Sequence, residues 1–422
     1  MPKSETVTAT PAPDLSAPGP LAGTKVVELA SDQGAYAGKL LADMGADVLL
    51  VEPPGGHRSR WYGPFADDIE DPEQSLWWWH YQTSKRAITL DLELEADQQR
   101  LRELVAEADV FLEAEAPDRL GSLGLDHPDL RAEHPELIHV SITPFGRTGP
   151  RRNEQATDLT IMAAGGPVWS CGYDDHELAP VRGGGNQGFH TGCHFAVMST
   201  MVALLARGQN GVGQHIDVNM HAASNVTTEV GSYGWLAANE QVMRQTGRHA
   251  ARKRTQDTQV QCADGGWVNT GVPPMKGYEF AALIDWIDEL GWREDFPEAG
   301  VLELGRDYER ITVSMIHDDD LAGEIFGSGR KAMVFLAGRL SAYDFFIGTQ
   351  SRGLPTGIVY APEEMMSDPH FVERGFPTEV FHEERGRAVT YPGAPIRFTK
   401  SPWRIGRRAP KLGEHNADIL GT

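Results

Sequence analysis

From Leu21 to Phe145 the chain alternates short apolar runs with stretches of helical periodicity. In LAGTKVVELA, Val26, Val27 and Leu29 cluster after a glycine-containing turn and predict a strand. SDQGAYAGKLLADMGA follows, with Tyr36, Leu40, Leu41 and Met44 at helix spacing and Gly45 at its end. DVLLVEPPGG reads as a second buried strand, stopped by Pro53 and Pro54. Strand, helix and strand joined by short turns form a βαβ unit, whose parallel strands require a right-handed crossover. The pattern continues with RAITLDL as a strand and ADQQRLRELVAEA as a helix that turns Leu101, Leu104 and Val105 inward. DVFLEA and LIHVSITPF predict further strands around the helical DHPDLRAEHPE. Such alternation predicts the α/β class with an open parallel sheet.

Beyond Pro150 the texture changes. A glycine-rich stretch leads into the helical HFAVMSTMVALLARG. From about Val230 the chain is helix-rich and contains tryptophans, interrupted by a hairpin-like QVQCADGGWVNTG, and this region reads as a second, smaller domain. Strand and turn signals return around SRGLPTGIVYAPEEM and run through the tail. The first twenty residues, rich in Pro, Thr and Ala, read as a disordered arm and not as a signal peptide.

Composition narrows the classes. The 422 residues carry 38 Lys+Arg against 60 Asp+Glu, a formal charge of −22, which disfavours nucleic acid and anionic membrane surfaces as partners. No apolar run is expected to reach the roughly 18 residues of a membrane span. Cys171, Cys193 and Cys262 share no metal-type spacing and fit a reducing cytoplasm, and the histidines show no ligand spacing, so no metal is expected. The first βα turn, Ser31-Asp32-Gln33, stands where open sheets bind ligands and helix N-termini accept anions, although Ser31 or Asp32 serves equally as a helix cap. Arg58, and the adjacent Lys85 and Arg86, are candidates for gathering a phosphate-bearing ligand, or plain surface charge. Gly183-Gly184-Gly185 before Gln187, Gly188 and His190 offers a backbone that approaches a ligand closely. His190 is there either a proton shuttle or a hydrogen-bonded structural residue.

Six blocks then follow one another in order: the first βαβ unit through EPPGG, SKRAITLDL, SITPFGRTGP, LLARGQNGVGQHIDVNMHAA, LPTGIVYAPEEMMSDPHFVERGF and APKLGEHN. Together they resemble the family III CoA transferases, the superfamily of formyl-CoA transferase, carnitine CoA-transferase and alpha-methylacyl-CoA racemase. The resemblance implies a Rossmann-like large domain built from both chain ends, a smaller inserted domain, and an interlocked dimer. The expected boundaries are an arm over 1–20, the large CoA-binding domain over 21–225, the small domain with its linkers over 226–340, and the return to the large domain over 341–422. Coenzyme A or its acyl thioester is implied as substrate, with no permanently bound cofactor. The implied contacts fall on Ser31, Asp32, Gln33, Arg58, Lys85, Arg86, Thr143 and Phe145. Ser122 and Thr143 stand where formyl-CoA transferase has basic residues.

The family's nucleophile is an Asp four residues before the glycine that here is Gly192, which places it on Gly188, or on Gln187 with a slip of one. Neither can form an acyl anhydride. The racemase histidine falls on Thr157, beside Asp158. Three readings follow. One is a transferase using another group, Asp158, His190, Gln187 or the loop residues Asp174 and Asp175. Another is a CoA-binding subunit that lacks the nucleophile and pairs with an Asp-bearing homologue. The last is isomerase, lyase or hydrolase chemistry on a CoA thioester.

Overall fold

The computed structural model describes residues 16–228, 230–248 and 250–421. Most of the predicted arm, residues 1–15, lies outside them; Ala17 already accepts a hydrogen bond from Arg404 at 2.9 Å. By internal packing the chain forms two units, one of residues 16–171, 180–241 and 368–421, the other of 172–179 and 242–367.

The large unit opens with β1 (Lys25–Leu29), α1 (Ala35–Asp43) and β2 (Asp47–Glu52), followed by α2 (Leu76–Tyr81), β3 (Arg86–Thr89) and α3 (Glu95–Ala106). It continues through β4 (Val110–Glu113), α4 (Arg119–Ser122), α5 (His127–Glu133), β5 (Ile138–Thr143) and α6 (Asp158–Gly165). Then come α7 (Gln187–Asn210), β6 (His215–Asn219), α8 (Met220–Asn225) and α9 (Val230–Ala238). The six strands form one sheet in the order β3-β2-β1-β4-β5-β6, every pair parallel. The order reverses between β1 and β4, and the carboxyl ends there are where such sheets bind ligands. Strands covered on both faces need near-continuous apolar runs, which is why VLLV and VSI are buried throughout. One face packs on α1 and α7 through Leu40, Leu41, Cys193 and Val197; the other packs on α3 to α5 through Leu101, Val105, Leu120 and Leu130.

The 24-residue α7 has no uninterrupted apolar run of membrane-spanning length, as its apolar residues are broken by Ser199 and Thr200. It is long and apolar enough to cross a membrane by length and composition, with a third of its apolar window buried. The buried side faces the sheet. Met198, Val202 and Leu205 form an exposed stripe at helical spacing, Leu205 being 71% exposed.

The small unit holds an antiparallel sheet of β7 (Gln259–Gln261), β8 (Trp267–Asn269) and β9 (Gly357–Val359). Around it lie α10 (Gly277–Glu289), α11 (Ala299–Leu304), α12 (Val313–Asp318), α13 (Asp320–Ala337) and α14 (Ala342–Ser351), centred on Phe280, Ile284 and Leu336. This moves the expected return from 341 to about 368, because Phe345 of α14 and Leu354 complete that small core. The last elements are α15 (Pro362–Met365), α16 (Pro369–Glu373), the hairpin of β10 (Pro377–His382) and β11 (Arg387–Pro392), and α17 (Asn416–Leu420).

Candidate functional site

At the carboxyl end of β1 the chain turns through Ser31, whose Oγ accepts the Gly34 N–H at 2.9 Å, so the predicted cap is present. Asp32 next to it accepts two hydrogen bonds from Arg58, at 3.0 and 2.8 Å, and one from the Tyr62 hydroxyl at 2.9 Å. Arg58 is held by the loop after β2. That loop is anchored by Arg60, which makes a two-pronged pair with Glu52 at 2.8 Å and stacks 3.9 Å from the Trp78 ring. Burial pushes the His57 imidazole in this loop down to about 4, so it stays neutral.

Two cavities adjoin here, of about 740 and about 420 Å³, sharing Gln33, Arg58, Ala156 and Thr157. They run along the ends of β1, β4 and β5. Gln33 Oε1 and Thr143 Oγ1 line the larger one and are buried without a hydrogen-bond partner. Orphaned polar atoms in an open cavity mark where a ligand supplies the missing bonds. The structure therefore brings Gln33, Arg58 and Thr143 to the larger cavity and Asp32, Gln33 and Arg58 to the smaller, while Ser31 lines neither. Phe145 lies just beyond it, nearly buried beneath the Arg151 guanidinium at 4.2 Å.

Lys85 and Arg86 are not brought there, and both expectations are corrected. Lys85 is completely buried, its Nζ 2.7 Å from Glu28, 2.6 Å from Gln82 Oε1 and 3.1 Å from the Ala35 carbonyl. An ammonium so enclosed has no face left for a phosphate, and its burial lowers its pKa. Arg86 begins β3 and pairs at 2.7 Å with Asp47, which begins β2, so it occupies the amino-terminal edge of the sheet.

Gly188 sits in the first turn of α7. The N-cap residue of that helix, Asn186, makes no side-chain cap. The free amide is instead met from α6: Asp158 Oδ1 accepts the Phe189 N–H at 3.1 Å, and Asp158 Oδ2 accepts Arg182 Nη1 at 2.7 Å. Both oxygens of this carboxylate are thereby engaged, one by a helix-terminal amide and the other by a guanidinium. A methyl group built on Gly188 would stand 3.2 Å from Asp158 Oδ1 and 3.2 Å from Met162, closer than ordinary contact, so these side chains would have to give by a few tenths of an ångström. Gln187 is exposed and folds back over Gly183. His190 stacks on Tyr36 at 4.2 Å with its Nε2 2.7 Å from the Tyr81 hydroxyl, which also accepts Asn186 Nδ2 at 3.2 Å. Burial lowers its pKa, and it lines neither cavity. Asp174 belongs to the small unit, where the Arg248 guanidinium pairs with it at 2.8 Å. Glu115, Tyr62 and Arg182 were not singled out from sequence. Arg182 had a signal, as the one cation immediately before the glycine-rich stretch.

A doubly wound sheet with a polar cleft at its strand ends defines a class that binds small ligands. The chain belongs to CoA-transferase family III, whose sequence pattern it matches over residues 21–416. It is 29% identical over 410 residues to succinyl-CoA:(R)-benzylsuccinate CoA-transferase subunit BbsE of Thauera aromatica, covering 94% of this chain and 92% of that one. It is 29% identical over 411 residues to succinate–glutarate CoA-transferase of Agrobacterium fabrum, covering 95% of each. Among solved structures, a CAIB/BAIF family protein from Brucella suis matches with a TM-score of 0.76 and 27% identity, over 96% of this chain and 99% of that one.

Proposed function

We propose that this chain serves CoA transfer between organic acids as the nucleophile-lacking subunit of a heteromeric enzyme, paired with a homologue that supplies the aspartate. The observation that carries this reading is Gly188. By the resemblance the family nucleophile falls on Gly188, or on Gln187 with a slip of one, neither of which is a carboxylate, and the carboxylate nearest Gly188, Asp158, is committed to Phe189 N–H and Arg182. A nucleophilic carboxylate must leave its partners to attack a thioester carbonyl, and one saturated by a helix terminus and a guanidinium is poorly suited to that. The BbsE relative is itself a subunit by name, and both relatives act on succinyl or succinate partners, so succinyl-CoA and a second dicarboxylic acid are the substrates to test first.

The exposed stripe Met198, Val202 and Leu205 supports a partner chain on α7, and an interlocked arrangement with that partner fits the family. Three free cysteines fit a reducing cytoplasm. The test is reconstitution. Co-expressed with an Asp-bearing homologue of the same family, the chain should co-purify, and only the pair should exchange CoA between succinyl-CoA and an acceptor acid. Exchange by the purified chain alone would return the function to a self-sufficient transferase.

A further inference from the structure

The small unit has a cavity of its own, of about 580 Å³, lined by β7 and α13, and every residue around it lies within 242–367. That is the size of a small-molecule pocket, and its walls are apolar where Val260, Phe296, Met333 and Phe335 meet. Four charged groups line it: Asp257, Glu298, Arg330 and Lys331. Three of them are spent. Asp257 pairs with Arg248, which also holds Asp174 at 2.8 Å, and Lys331 Nζ stands 2.6 Å from Glu298. Arg330 is different. Its Nη2 donates to the Gln256 carbonyl at 2.9 Å, and among the described residues it makes no ion pair. Burial and the nearby Arg248 guanidinium lower its pKa, yet an arginine stays charged. The uncharged donors divide in the same way. The Thr270 hydroxyl goes to the Thr258 carbonyl at 3.2 Å and the Gln261 amide to the Gly265 carbonyl at 3.3 Å, while the exposed side-chain amides of Gln256 and Gln259 remain unused among the described residues. The two pairs cancel, so the cavity offers one positive charge over an apolar hollow. A half-buried guanidinium without an anion is costly, and a carboxylate matches its fork with two parallel bonds. A phosphate, with up to two charges and three strong acceptor oxygens, would leave part of its charge facing Phe296 and Met333.

We propose that this cavity is a second ligand site of the protein, taking a monocarboxylic acid with an aromatic or branched aliphatic body. The carboxylate sits on Arg330, with the Gln256 and Gln259 amides as further donors, and the body lies against Val260, Phe296, Met333 and Phe335. The site uses residues of the small unit alone, so it stands whether this chain transfers CoA by itself or as part of a pair.

The test is photolabelling of the full chain with para-benzoylbenzoate, a carboxylate on an apolar photoreactive body, followed by peptide mapping, together with calorimetric titration of phenylacetate. Saturable label should fall on residues 256–261 and 330–335. Phenylacetate should protect these peptides. Phenylmethanol (the same body without the charge), acetate (the charge without the body) and inorganic phosphate should not. Arg330→Gln should weaken phenylacetate binding at least about tenfold, and Arg330→Lys, which keeps the charge and loses the fork, about threefold. Both variants should unfold at nearly the parent temperature, since Arg330 has no ion pair to lose. Saturable label confined to the large unit would overturn the proposal, and so would no saturable label at all. Protection by phosphate equal to that by phenylacetate, or a phenylacetate affinity that ignores both Arg330 variants, would overturn it as well.

Discussion

Two ion pairs of the large unit have the same chemistry and opposite uses. Lys85 and Glu28, 2.7 Å apart, are both sealed from solvent beneath α1. Arg58 and Asp32, 2.8 Å apart, stand at the rim of the cleft, with the guanidinium side chain 67% exposed. The first holds the fold: Lys85 bonds Glu28, Gln82 and the Ala35 carbonyl, stitching β1, α1 and the segment before β3. The second sets the charge of an open cavity. A basic residue beside a strand is therefore no sign of a phosphate site until its burial is known.

The largest effect should come from breaking the sealed pair. Lys85→Ala leaves Glu28 buried and uncompensated, and should cost about 3–5 kcal/mol in urea unfolding, whereas Lys85→Met with Glu28→Leu should recover most of that loss. A small loss from Lys85→Ala would make the two pairs alike and break the comparison.

Acid should come next. Burial holds His57, beside the cleft, at about 4, and His80, in α2, at about 3. Both are below the unfolded value near 6.5, so the native state keeps them neutral while the unfolded chain takes up protons. Their contribution is present above pH 6.5 and is lost as pH falls toward 4, at up to about 1.4 kcal/mol per pH unit for each histidine. Thermal unfolding as a function of pH checks this; stability unchanged from pH 7 to pH 5 would contradict it.

Within the cleft, Arg182→Ala should strip Asp158 of its cation and loosen the start of α7, lowering exchange by the reconstituted pair with a smaller stability loss of about 1–2 kcal/mol. Gly188→Asp should not give the lone chain turnover, because its Cβ would meet Asp158 and Met162 at 3.2 Å. At the small end, Arg58→Ala should leave stability within about 0.5 kcal/mol, as exposed pairs contribute little.

The parallel sheet was legible in the sequence because buried strands need runs such as DVLLVE and helices need their own spacing. The turn at Ser31 was legible because strand ends locate a ligand site, whereas Thr143 was named through the family resemblance. Lys85 was misplaced because its role depends on Glu28, 57 positions away, and no local pattern announces a burial partner. The return of the chain was set at 341 by the resemblance, with strand and turn signals resuming around SRGLPTGIVYAPEEM, and no local pattern shows to which unit α14 belongs. Its place is decided by Phe345 fitting the small core. Asp158 was named from its neighbourhood to the racemase position, yet its bonds to Phe189 and Arg182 join elements that only the fold brings together.

The central claim is that no carboxylate of this chain becomes acylated. Intact-protein mass spectrometry tests it directly, after incubation with succinyl-CoA, with and without hydroxylamine, for the lone chain and for the reconstituted pair. The account predicts an unmodified mass for this chain in both cases and a hydroxylamine-sensitive adduct on the Asp-bearing partner. An adduct on this chain that maps to Asp158 would contradict it.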